Sequence, residues 1–161
     1  MNLFRTPRPR AWIDAGFIAL GFIGLAVPFG MLTGFYNWAP SHASSALLRF
    51  ALIAFILPAL LEELVFRGPI LVLQNRNGHA PLWAMALSLI AFIAWHPINT
   101  VMFMPQAADT FRDWRFLTLA ALIGVATTLM TLRSRSLWPA VLFHWGVVVA
   151  WKALLGAPGF L

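Results

Sequence analysis

Three ionisable side chains stand inside an otherwise apolar stretch. Glu62, Glu63 and Arg67 are preceded by the run Phe50 to Leu61 and followed by Pro69 to Leu73. At bilayer depth such a group costs about 2.5–3.5 kcal/mol on insertion scales, so it needs a partner or a task. Helical spacing sorts the three. Glu63 and Arg67 are four residues apart and share a face, where they can pair. Glu62 projects about 100° away from Glu63 on a helix of 3.6 residues per turn. One carboxylate therefore has a built-in counter-ion, and Glu62 is left as the leading catalytic candidate. His96 and His144 lie in two further apolar segments. A carboxylate beside imidazoles in a dry cavity is a general base that can activate water against a peptide carbonyl. A second histidine can stabilise the resulting oxyanion. The same Glu/His/His set could instead hold a zinc ion with one position open to water. The absence of HExxH spacing argues only against the common helix-borne zinc-protease motif.

The elements that must position these groups are helices in a membrane. Of the 161 residues, 61% are hydrophobic and 10% charged, too apolar for a soluble domain of this size. The fold class expected is all-α: a polytopic membrane helical bundle of about five transmembrane segments. They run from Ala11 to about Tyr36, Ser45 to about Leu73, Pro81 to His96 or beyond, Trp114 to Leu132, and Leu137 to Leu155. The first follows Arg5, Arg8 and Arg10. It is too long for a signal-peptide core and has no convincing cleavage site, so it reads as a retained helix. Turn signals fall at Asn37 to Pro40, Asn75 to Gly78 and Ser134 to Ser136. Residues 1–161 form a single membrane domain with no internal repeat.

Depth can be counted. If the second and third segments turn near Gly78, Glu62 lies 16 residues before the turn and His96 lies 18 after it. At 1.5 Å per residue these are roughly 24 and 27 Å from the turn, about the same level. His144 lies roughly 14 Å past the Arg133–Arg135 turn by the same rise. Convergence requires Pro58 and Pro69 to bend the second segment. The ten arginines and Lys152 divide seven to four in favour of a cytoplasmic N-terminus, with Arg67 among the seven and Lys152 among the four. The location expected is the inner (cytoplasmic) membrane, multi-pass. The +6 net charge is spread over loops without a basic, aromatic-interleaved face, so anionic lipid is its expected partner and nucleic acid is not.

Taken together and in order, Glu62-Glu63-x-x-x-Arg67, Phe92-x-x-x-His96 and Ser136-Leu137-Trp138-Pro139-Ala140 leading into His144 resemble the three signatures of the CPBP family. These are the CAAX prenyl endopeptidase and bacteriocin-processing (Abi-type) intramembrane proteases. The resemblance covers a catalytic core at 46–150. It implies that Glu62 activates the water, His96 assists, and His144 helps form the oxyanion site, with Glu63 and Arg67 in support. It implies a glutamic-type mechanism needing no cofactor, with zinc-dependent hydrolysis as the alternative. One position departs: the family usually has Asn four residues after the last histidine, and here that residue is Val148. Losing such a donor costs about 10²–10³ in rate. Asn99, three residues after His96, is the candidate substitute.

The expected function is cleavage of a membrane-anchored protein or peptide near its terminus, as a CAAX-type, leader or C-terminal sorting-tail substrate. Two other classes compete. A non-catalytic membrane scaffold or bacteriocin-immunity protein is motivated by Val148. A proton-coupled carrier would use the buried carboxylate and histidines as a relay, but the chain is small and lacks an inverted repeat. The connection Pro97 to Asp113 reads as an interfacial linker or a substrate gate. His42 and His79, in loops, are expected to face solvent.

Overall fold

Residues 2–41 and 44–157 are described by a computed structural model. α1 (Pro9–Leu32) opens with proline at its first position, where the missing N–H costs nothing. It ends because Gly34 takes a left-handed φ of 68°, four residues short of the expected limit at Tyr36. Its outer face carries Ile13, Phe17 and Leu20, each at least 60% exposed, as a lipid-facing helix should. The chain then returns in extended form. The N–H groups of Asn37, Ala39 and Ser41 donate to the carbonyls of Leu155, Leu154 and Ala153. These are the carbonyls that the end of a helix leaves without intrahelical partners.

The second membrane segment is broken in two places, both dictated by proline. α2 (Ser45–Ala54) is capped by the Ser44 hydroxyl, which accepts from the Leu47 N–H. A wide turn follows at Phe55–Leu60, and Leu57, preceding Pro58, leaves the helical region (φ −119°, ψ 108°). α3 (Leu61–Phe66) carries both glutamates in its first turn. Arg67 (φ −102°) joins it to α4 (Gly68–Asn77), which starts with Pro69 and stops at Gly78 (φ 80°). The Ser88 hydroxyl donates to the Phe66 carbonyl at 2.6 Å across this break.

α5 (Leu82–Met102) runs straight through Pro97. Transmembrane helices tolerate an internal proline when neighbours satisfy the freed backbone groups. The connection to the next long helix therefore begins after Met102 and not at Pro97. It holds a short turn, Pro105–Ala107, and α6 (Ala108–Phe111). The Arg112 Nε donates to the Thr100 hydroxyl at 3.0 Å and ties the connection down. α7 (Trp114–Ser134) is capped by Asp113, whose carboxylate also pairs with Arg115 at 2.6 Å. Arg115 lies beside it and holds the Asp113 carboxyl below its ordinary range. α8 (Trp138–Leu154) completes the bundle. The carbonyls of Leu3, Phe4 and Arg5 accept from Leu137, Trp138 and Ser136 and hold its entry.

Four spans, Pro9–Leu32, Ser45–Asn77, Leu82–Met102 and Trp114–Ser134, are long and apolar enough to cross a membrane, and α8 is a shorter apolar helix. The bundle is all-helical, as expected, and the protein is a multi-pass membrane protein. Arg67 is wholly buried, so it does not belong among the loop cations, and the division of arginines and Lys152 becomes six to four. His79 is exposed beside the Asn77 carbonyl. His42 lies outside the described residues.

Candidate active site

The break at Leu57–Pro58 turns α3 so that two successive residues of one short helix serve different neighbours. Glu63 is completely buried. One of its oxygens lies 3.4 Å from the Arg67 Nε, and the other lies 2.9 Å from the Nδ1 of His144 on α8. Arg67 in turn donates from Nη2 to the Gly124 carbonyl on α7 at 3.1 Å, and its guanidinium stacks 4.1 Å over the Phe92 ring. A β-carbon at position 124 would lie 3.1 Å from that nitrogen, so glycine lets the arginine reach the α7 backbone.

Glu62 faces elsewhere. Its Oε1 accepts from the Trp95 indole N–H at 3.2 Å, and its Oε2 lies 4.0 Å from the His144 Nε2. That second oxygen has no hydrogen-bond partner among the described residues. His144 therefore stands between the two carboxylates, one ring nitrogen toward each. The Trp95–Glu62 bond puts α3 and α5 at one level, matching the depth counted from Gly78.

His96 is buried, and its Nδ1 lies 2.9 Å from the Phe92 carbonyl. A carbonyl only accepts, so Nδ1 carries the proton, and the other nitrogen of the neutral ring is an acceptor. The ring stands edge-on to Phe92, Phe111 and Phe116. By the same logic the Nδ1 of His144 donates to the Glu63 carboxylate.

The buried cluster holds two carboxyl groups, one guanidinium and the His144 imidazole, with Arg67 paired to Glu63 and His144 in contact with both glutamates. A buried cluster is tolerable when its charges are paired in this way.

Glu62, His96, Asn99 and His144 all line a single cavity of about 700 Å³ among α2, α5, α7 and α8. Its other walls are mostly aromatic and aliphatic. Tyr36, at one end, is buried, which pushes its phenol up to about 12 and keeps it a neutral donor. Val148 also lines this cavity. α5 and α8 both start from the end of the bundle that holds the Gly78 and Arg135 turns. Asn99 thus sits about 4.5 Å beyond His96, and Val148 about 6 Å beyond His144, in the same direction. Phe103, Met104 and Phe111 bring the connection after α5 to the cavity wall. Glu63 and Arg67 do not line the cavity; they lie behind His144.

Among the described residues no group of three or more His, Asp or Glu side chains is placed to hold a metal ion. Sequence reasoning missed three contacts: Trp95 on Glu62, Gly124 on Arg67, and Glu63 on His144. Only the glycine left a trace, as the one glycine of α7.

A family model, Type II CAAX prenyl endopeptidase Rce1-like, matches residues 44–150. It leaves α1 outside. No curated protein and no solved structure matches the chain.

Proposed function

The chain belongs to the Type II CAAX prenyl endopeptidase Rce1-like family of intramembrane proteases, and on that premise we propose that Glu62 activates the water that cleaves a membrane-anchored protein or peptide near its terminus. The observation that carries this reading is the different placement of the two glutamates. Glu63 is paired with Arg67 and His144 and does not line the cavity, whereas Glu62 lines it, with its Oε2 4.0 Å from the His144 Nε2 and without a hydrogen bond among the described residues. Water held there gives a proton to Glu62 as its oxygen attacks the peptide carbonyl. The C–O bond forms, the carbonyl becomes an oxyanion, and the C–N bond then breaks as Glu62 returns the proton to the leaving amine. His96, fixed with an acceptor nitrogen by the Phe92 carbonyl, orients the water. The Nε2–H of protonated His144 stabilises the oxyanion, and Glu63 balances its charge. Asn99 supplies the amide donor that Val148 cannot. Arg67 is a positioning residue for Glu63. The mechanism is glutamic and metal-independent, and the N-terminus is cytoplasmic.

Wild type and Glu62→Gln are co-expressed with membrane-anchored candidate substrates, and the substrate termini are compared by mass spectrometry. A new terminus is expected only with wild type, and cleavage by purified protein survives a chelator. Retained cleavage by a folded Glu62→Gln protein overturns the assignment, and loss with chelator overturns the metal-free step.

Val148 at the cavity wall also favours a second reading, a non-catalytic scaffold or bacteriocin-immunity protein on the same fold. It predicts no difference in termini and a cellular phenotype that survives Glu62→Gln.

A further inference from the structure

We infer that the catalytic cavity opens toward the non-cytoplasmic face of the membrane, so that the substrate is a membrane-anchored protein that has already been translocated. The inference rests on the endopeptidase reading above and deepens it by naming the side from which the substrate comes.

The bundle has two unlike ends. At one of them the N-terminal arm, the end of α4 and the turn between α7 and α8 meet. There the Arg5 guanidinium donates to the Ser134 carbonyl, and the Gln74 amide donates to the Leu132 carbonyl. This end carries Arg5, Arg8, Arg10, Arg76, Arg133 and Arg135, all exposed. The other end carries Arg49, Arg112, Arg115 and Lys152, and Arg115 is paired with Asp113. Lysine and arginine beside membrane helices are retained on the cytoplasmic side, and an anionic inner leaflet attracts them further. The six-arginine end therefore faces the cytoplasm.

The cavity belongs to the other end. Among the described residues none from 2–34, 67–91 or 124–143 lines it, and those stretches hold all six exposed arginines. Its walls reach instead to Phe35 and Tyr36 after α1, Phe103 and Met104 after α5, and Ala157 after α8. These connections share one level: the Ala39 N–H donates to the Leu154 carbonyl, and the Arg115 guanidinium donates to the Thr33 carbonyl at 3.0 Å. His96 stands 14 residues from the start of α5 (82 to 96) and six from its end (96 to 102), about 21 and 9 Å. The reacting groups are thus nearer the end that the cavity reaches. Toward the arginine end the interior is filled, and Arg67, Leu71, Thr131 and Leu137 have no exposed surface. A cytoplasmic peptide, or a lipidated terminus on the inner leaflet, meets these packed side chains before it meets Glu62. The reaction that supplies the substrate is therefore protein translocation, and the freed portion is released outside the cytoplasm.

The chain has no cysteine, so an introduced one reports its side of the membrane without background. Asn77→Cys stands at the arginine end and Gln106→Cys in the connection after α5, both at exposed positions. The full chain in right-side-out membrane vesicles is treated with a membrane-impermeant maleimide. Gln106→Cys is expected to be labelled there, and Asn77→Cys only in inside-out vesicles. The reverse pattern, or labelling of both variants in one vesicle orientation, overturns the inference. In parallel, protein termini are compared between cells making wild type and cells making Glu62→Gln, and each difference is placed on the topology of the protein that carries it. Termini specific to wild type are expected in non-cytoplasmic segments. Such termini confined to cytoplasmic segments overturn the inference and leave the endopeptidase reading intact. The expected maleimide pattern with no wild-type-specific terminus on either side overturns the endopeptidase reading and leaves the direction of the cavity standing.

Discussion

Removing one member of the Glu63–Arg67 pair should be far worse than removing both. The two side chains are wholly buried and 3.4 Å apart, so solvent does not screen them. Breaking such a pair strands a charge and costs about 3–5 kcal/mol. Both Glu63→Gln and Arg67→Met are expected in that range. In the double variant no charge is stranded. What is lost is the Arg67 bond to the Gly124 carbonyl and part of the Glu63 bond to His144, each about 0.6 kcal/mol on the intramembrane scale. The double variant should therefore be no less stable than either single one, a coupling of at least about 3 kcal/mol. The assay is unfolding in mixed micelles followed by circular dichroism for the four members of the cycle. Activity gives an independent reading of the same pair. Arg67→Met takes the counter-ion from Glu63, which holds the His144 ring by a 2.9 Å contact, so cleavage should fall where the variant folds. Additivity of the two stability losses within about 0.5 kcal/mol would refute the reasoning.

Gly124→Ala places a methyl carbon 2.6 Å from the Leu89 Cδ1 and 3.1 Å from the Arg67 Nη2. A loss of about 1–3 kcal/mol is expected from this overpacking, measurable by the same unfolding assay, and an unchanged midpoint would show that Arg67 does not need the close approach. Asn99→Ala should lower kcat by about 10²–10³, the cost of one oxyanion donor, with KM little changed. Adding Val148→Asn should restore most of that loss, because both positions face one cavity about one turn beyond a histidine. Failure of the second substitution to rescue the first removes Asn99 from the oxyanion site.

The long elements were legible because apolar runs of membrane-spanning length leave few alternatives to helix. The two breaks in the second segment were legible in part, since Pro58 and Pro69 announce themselves. The further course of α5 through Pro97 was not, because proline stops a helix in water more reliably than in a packed membrane bundle. The Glu63–Arg67 contact is local, and a spacing of four residues suffices to expect it. The contacts across segments were beyond reach. Trp95 on Glu62 and His144 between both glutamates depend on helix rotation as well as depth, and a count of residues gives depth alone. Arg67 illustrates the same limit. Its charge suggested a loop, and only packing against Gly124 and Phe92 places it in the interior.

Adjacent glutamates on one helix present an ambiguity that composition cannot resolve, since either could be the base. The surroundings support the Glu62 assignment proposed above. A base must shed and regain a proton during each turnover, so its carboxylate cannot be held by a fixed cation at one oxygen and a donor imidazole at the other. Glu63 is held in that manner, and the same two bonds make it the natural counter-charge for His144. Glu62 has one neutral donor, Trp95, which orients the group without adding charge, and one oxygen toward the cavity. The arrangement thus separates two demands that oppose each other in a dry site: a charge balance that stays constant, and a carboxylate that changes its protonation state. The tandem Glu-Glu places the two functions about 100° apart on a single turn, and a single histidine touches both.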